Sequence, residues 1–251
     1  MTTKEEINSI QKNAKVAGGL YLLIAVLAGF VHFYVPGKLI VSGDAGTTAS
    51  NIMASQGLFR ISMGAELVIL LSEIVLTILL YVLLKPVNKT LSLVAAVSRL
   101  AMTTIHGVNL LNHFIVLLLL GGAGYLTVFQ PDQLQALVAL FLDSYSYGYT
   151  IGIVFFTLHT FTLAYLIFKS GYFPKILGVL FLVAAFGYLI DGFSHVLIAD
   201  YKTGPVYLAL PIAIAEIAFP LWLLIKGVNV DQWKKRALDL EPASVAPMPI
   251  G

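Results

Sequence analysis

The sequence predicts an all-α, polytopic membrane bundle with six transmembrane helices and both termini cytoplasmic. Three observations carry that expectation. The first is composition: of 251 residues, 59% are hydrophobic and 11% charged, with a mean hydropathy of +0.90. A soluble domain carries about 25% charged residues, and a single soluble core does not enclose this much apolar surface. The second is six apolar runs, 16–37, 58–84, 90–121, 145–168, 174–198 and 205–226, each long enough to span. In lipid such a run satisfies its own backbone polar groups only as a helix. The third is charge asymmetry. Lys4, Lys12, Lys15, Lys85, Lys89, Lys169, Lys175, Lys226, Lys234, Lys235 and Arg236 fall on one side of the spans, and Lys38, Arg60 and Lys202 on the other. Eleven against three marks the first side as cytoplasmic, and the plasma (inner) membrane as the location.

The elements follow in order. Residues 1–15 form a polar cytoplasmic segment, read as a short surface helix. The first apolar run is too long for a signal peptide and lacks a small-x-small cleavage site, so it reads as an uncleaved span. Outside segments are expected at 38–57, 122–144 and 199–204. "GDAGTTASNIMASQGLF" (43–59) is a turn followed by a weak amphipathic helix. "PDQLQALVALFLDSYSYGY" (131–149) reads as an interfacial helix leading into span four, with Pro131 and Asp132 at its start and tyrosines at headgroup level. The transmembrane domain covers 16–228. A cytoplasmic tail covers 229–251, and its end, "EPASVAPMPIG", is expected to be disordered. The net charge of +2 suggests no nucleic-acid partner, and the absence of cysteine excludes disulfides, thiolate metal sites and a Cys nucleophile.

The functional signal is polar residues inside the spans. Residues seven apart share a helix face. Glu66 and Glu73 do so in span two, flanked by Ser62 and Thr77, and Arg99, His106 and His113 do so in span three, with Asn109 and Asn112 nearby. Span four adds His159 on the face of Gly152, with Gly148 and Gly152 at a spacing that lets helices approach. Span five carries Asp191 and His195, span six Glu216 between Pro211 and Pro220, and span one His32 near its end. At about 1.5 Å per residue, Glu73, His106, His159 and Glu216 fall mid-membrane. Glu66, His113, Asp191, His195 and His32 fall in the outer half, with Arg99 as an inner floor. Charges facing lipid are costly, so these groups should converge on a polar core open to the outer face.

Several uses remain open for that core. Glu73, His106, His159 and Glu216 could hold Zn, Mn or Fe, with Glu66, Arg99, Asn109, His113, Asp191 and His195 as supporting or access residues. No HExxH or paired ExxH pattern accompanies them. Haem between His106 and His159 ranks below a bare metal, because it leaves the carboxylates without a role. The same groups suit a proton-coupled transporter or a lipophile-binding protein, although no internal repeat is visible. In the plainest reading the chain is a structural or signalling module. The carboxylates then pair with Arg60 or Arg99, the asparagines join helices, and His32 stands by. Ser194 and His195 point about 100° apart on a helix, so they form no catalytic dyad.

"GAELVILLSEIVLTILLYVLLKPVNKTLSLVAAVSRL" (64–100), "GIVFFTLHTFTLAYLIFKSGYFPKILGVLFLVAAFGYLID" (152–191) and "WLLIKGV" (222–228) resemble the bacterial membrane family called domain of unknown function 4386. The resemblance covers roughly 12–228, with "FKSGYFPKILG" and "YVLLKPVNK" as its most specific turns. It implies a bacterial or archaeal helical membrane bundle and assigns no activity. Glu66, Glu73, Arg99, His159 and Glu216 match its pattern.

Overall fold

A computed structural model describes residues 3–199, 201 and 206–240. The chain is helical, with no strand among the described residues. Helix α1 (Thr3–Gly29) runs through a π-helical turn (Phe30–Tyr34) into α2 (Val35–Leu39). Residues 3–15 are thus continuous with the first span, not a separate surface helix. Ile10 and Ala14 are buried there. A short α3 (Ala45–Ala54) follows, capped by Asp44, whose carboxylate accepts from the Thr47 amide at 2.8 Å. Then come α4 (Gln56–Leu84) and α5 (Lys89–Asn109), the latter capped by the Asn88 side chain on the Leu91 amide.

The third apolar run is broken. It stops at Asn109 and resumes as α6 (Leu111–Leu120). At the break, Asn112 Nδ2 donates to the Asn109 carbonyl (3.1 Å) and side-chain oxygen (2.9 Å). The expected interfacial helix at 131–149 is part of one helix, α7 (Pro131–Ser170). Its 40 residues extend about 60 Å, roughly twice a hydrocarbon core. Gly171 ends it in the left-handed conformation, φ +79°. Helices α8 (Lys175–Leu197), α9 (Val206–Ile225) and α10 (Val230–Leu240) complete the chain.

Five helical stretches are long and apolar enough to cross a membrane, and Ala209–Ile225 with Val230–Asp239, bent by 100°, make a sixth candidate. Large apolar side chains such as Val26, Leu71, Val97, Val108, Leu118 and Phe186 face outward. This is the surface of a multi-pass membrane protein. The long helices close a ring in chain order: α1 packs on α4, α4 on α5, α5 on α7, α7 on α8, α8 on α9, and α9 back on α1. Two glycines permit the closest crossings. A Cβ on Gly178 would lie 2.8 Å from the Ala164 carbonyl, and one on Gly18 2.8 Å from the Pro220 carbonyl.

One end of the ring is covered by α10. Trp233 Nε1 and the Tyr172 hydroxyl both donate to the Leu83 carbonyl, at 2.9 and 2.7 Å, and Arg236 donates to the Lys169 carbonyl. These donors satisfy carbonyls at the ends of α4 and α7 that have no intrahelical partner. Gln11 holds the α9–α10 bend by bonding the Lys226 carbonyl and the Val228 amide. The other end is covered by α3 and the projecting start of α7. One apolar cluster, including Leu76, Leu83, Leu166 and Phe219, fills the α10 end. A second, including Leu39, Ile52, Phe59, Val116 and Val138, fills the α3 end. The polar residues lie between them. Lys202 and the 241–251 tail lie outside the described residues.

Candidate functional site

The polar interior has three layers. Nearest the α10 end, Arg99 is fully buried and grips Glu73 with two bonds, Nε to Oε2 and Nη2 to Oε1 (3.0 Å). Its Nη1 donates to His159 Nε2 at 3.0 Å. His159 Nδ1 meets the Ala95 carbonyl at 2.9 Å. A carbonyl accepts and a guanidinium donates, so the imidazole carries its proton on Nδ1 and offers its Nε2 lone pair to Arg99. The guanidinium also lies 4.9 Å from the Tyr21 ring centroid and 5.2 Å from that of Phe156. Tyr21 lies in turn within range of Glu216, which accepts from the Tyr188 hydroxyl at 3.3 Å.

The second layer joins α5 to α7. His106 Nε2 lies 3.1 Å from the Tyr149 carbonyl, and Asn109 Nδ2 donates to the Tyr145 carbonyl at 2.8 Å. Both side chains reach the α7 backbone because glycines face them. A Cβ on Gly152 would collide with the His106 ring, and one on Gly148 with the Asn109 amide. The small-residue pair therefore makes room for polar side chains as well as for a neighbouring helix.

The third layer surrounds a cavity of about 410 Å³ toward the α3 end. Its polar lining includes His32, His113, Tyr145, Tyr149, Asp191 and His195, and its apolar wall includes Val31, Pro36, Ile40, Leu142 and Ile153. His32 belongs to the π-helical turn, and its ring lies 4.6 Å from that of Tyr149. Such turns often occur at functional positions. The Tyr149 ring also stacks on His106 at 4.7 Å. Tyr145 stacks on His113 at 3.8 Å and donates its hydroxyl to Glu66 Oε1 at 2.7 Å. The other Glu66 oxygen and His113 Nδ1 face each other at 4.0 Å, buried and without hydrogen-bond partners. Asp191 accepts from the Tyr201 hydroxyl at 2.9 Å, and His195 Nδ1 lies 3.8 Å from its second oxygen.

The four residues grouped as metal ligands are therefore distributed. Glu73 and His159 converge on Arg99, His106 on the Tyr149 carbonyl, and Glu216 on tyrosines. Among the described residues no three His, Asp or Glu side chains are arranged to hold a metal ion. A guanidinium sits where a cation between Glu73 and His159 would sit, so the donor set does not favour one. No pair of His106 and His159 nitrogens is left for haem either, since His159 Nε2 faces Arg99 and His106 Nε2 a carbonyl. Of the residues expected to support or give access to the core, Glu66, His113, Asp191 and His195 lie around the cavity or directly behind it.

His32, expected as a bystander, lines the cavity, and the structure adds Tyr21, Tyr145, Tyr149 and Tyr188. A signal for two of these lay in the sequence. Tyr145, Tyr149, Gly152, Phe156 and His159 repeat at alternating four- and three-residue steps, one continuous face of α7. Of the three tyrosines in 131–149, Tyr147 alone faces outward as a headgroup tyrosine would.

The profile of the family described as "Domain of unknown function (DUF4386)" matches residues 16–227. The chain belongs to this family. The match takes in every polar residue of the three layers. This DUF4386 chain combines a ring of apolar helices with a buried ion pair and a polar cavity. An uncharacterised protein of Archaeoglobus fulgidus is similar, 29% identical over 170 residues, covering 68% of this chain and 85% of that protein. No solved structure matches.

Proposed function

We propose that this chain is a six-span protein of the plasma (inner) membrane that binds a small amphipathic molecule in the cavity between the π-helical turn, α2, α6, α7 and α8. In this reading residues 16–228 form the transmembrane domain, both termini are cytoplasmic, and the α3 end with its cavity faces outward. The Lys/Arg asymmetry supports that orientation. The observation that carries the function is the cavity itself. At about 410 Å³ it falls in the range of small-ligand sites, and it joins an apolar wall to a few converging polar groups. The buried Glu73–Arg99–His159 cluster serves as its structural floor.

The test uses protein in nanodiscs and a neutral probe, 2-phenylethanol, followed by calorimetry against empty nanodiscs. Saturable binding is expected, and Ser146→Trp, which fills the cavity from its lining, should abolish it. Absence of saturable binding, or equal binding by Ser146→Trp, would refute the reading. Orientation is tested separately. The chain has no cysteine, so Ser42→Cys and Thr90→Cys, both at exposed positions, should react with an impermeant maleimide from opposite faces of the membrane.

A second reading, proton-coupled transport through the same cavity, is favoured by the approach of Glu66 Oε2 to His113 Nδ1. Uptake of the probe into proteoliposomes under an imposed pH gradient, lost in Glu66→Gln, would support it. Uptake indifferent to the gradient would exclude it.

A further inference from the structure

Acidic groups outnumber fixed cations around the cavity among the described residues. Glu66, Glu73, Asp191 and Glu216 all lie within electrostatic range of the Tyr149 hydroxyl. Arg99 is the guanidinium among them, and Glu73 already holds it bidentately. Among the described residues, none that lines the cavity is Lys or Arg. An interior of low polarity favours the binding of positive charge beside its carboxyl groups, which it otherwise keeps protonated. Tyr145 and Tyr188 hydroxyls relieve Glu66 and Glu216 by hydrogen bonding, but they bring no charge.

A second observation is independent of charge. His113 is nine-tenths buried and lines the cavity, and its Nδ1 is sealed against Glu66 without a hydrogen-bond partner. A carboxylate facing Nδ1 favours the proton there. The ring then meets the cavity through Nε2, a hydrogen-bond acceptor. The cavity thus offers an imidazole acceptor, the Asp191 carboxylate and the faces of aromatic rings, Tyr149 among them. Acceptors, a carboxylate and π-faces together are the recognition chemistry of an organic cation.

We propose that the cavity binds an organic ammonium ion, its N–H groups directed to Asp191 and His113 and its apolar group lying against Val31, Pro36 and Ile40. This deepens the ligand-binding reading above and rests on it. A bare metal ion would leave the apolar wall without contacts, and an anion would meet carboxylates.

The test compares three probes of similar size and different charge on the protein in nanodiscs near neutral pH: phenethylamine, 2-phenylethanol and phenylacetate. Phenethylamine should bind at least about tenfold more tightly than 2-phenylethanol, one charge-assisted contact being the difference. Asp191→Asn keeps an acceptor for Tyr201 and should remove most of that preference, while 2-phenylethanol affinity stays within about twofold. Glu66→Gln, which keeps an acceptor for Tyr145, should lower the preference severalfold. Equal binding of amine and alcohol would overturn the ammonium proposal and leave the cavity reading standing. A preference for phenylacetate would do the same. Failure of all three probes to bind would overturn both.

Discussion

Substituting Gly152 by Ala tests the central packing idea, that α7 carries glycine to admit a polar side chain from α5. The added Cβ would overlap His106 Nε2 and Cδ2 and lie 3.2 Å from Cε1. The imidazole must leave, because the opposing atoms belong to a ring pinned between the Tyr149 carbonyl and the Tyr149 ring. Overpacking of this kind costs about 1–3 kcal/mol. Stranding one partner of a buried hydrogen bond costs about 1–3 kcal/mol more. Replacing a helical glycine by alanine returns about 1 kcal/mol. The net loss is about 3 kcal/mol, equivalent to a fall in Tm of about 6–12 °C at this chain length. Thermal unfolding in detergent measures it. Two controls define the cause. Gly64→Ala, where a Cβ meets nothing within 4 Å, should be neutral or slightly stabilising. Adding His106→Ala to Gly152→Ala should recover part of the loss, giving a coupling of at least about 1 kcal/mol. A Gly152→Ala protein as stable as wild type, or a strictly additive double variant, would refute the reasoning.

Three further outcomes are expected. Glu73→Gln leaves Arg99 buried without its carboxylate and should cost about 3–5 kcal/mol, whereas Glu73→Leu with Arg99→Leu should recover most of that loss in chemical denaturation. Protein purified in mild detergent, without chelator or nickel-affinity resin, should carry no transition metal above background by elemental analysis. The reason is that Arg99 engages both Glu73 and His159, and a stoichiometric metal would show that this cluster rearranges. Outside the spans, the Thr47 hydroxyl and amide hold the Asp44 carboxyl below its usual range. A depressed native value stabilises above the unfolded-state value, about 3.9, and that contribution disappears as pH falls through the native one. The difference in Tm between wild type and Asp44→Ala should therefore shrink below about pH 4, and a constant difference would contradict the cap.

Much of the site is periodic in the sequence. Glu66 and Glu73, and Arg99, His106 and His113, fall on one helix face at sevenfold spacing, and that spacing places them inward because lipid rejects them. The structure puts all five inside. Their pairing was not legible. A face states which side of a helix is polar, not which atoms on other helices it meets. Arg99 could have met Glu66 or Glu73, and only the relative register of α4 and α5 selects Glu73. The tyrosines illustrate a different limit. Tyr145 and Tyr147 are two residues apart, equally amphipathic and near a membrane surface in the sequence. The rotation of α7 turns one onto Glu66 and leaves the other in the surroundings.

The sequence by itself determined the helical class, the apolar runs and the identity of the groups that must avoid lipid. Those follow from local hydropathy and backbone hydrogen bonding, which act over one or two helical turns. Only the tertiary structure decided that Glu73 and His159 gather on Arg99 while His106 and Glu216 bond elsewhere, that Gly148 and Gly152 admit Asn109 and His106, and that His32 joins the cavity. Each of these depends on contacts between residues far apart in the chain. Their geometry is fixed by how whole helices pack, not by the period of any one of them.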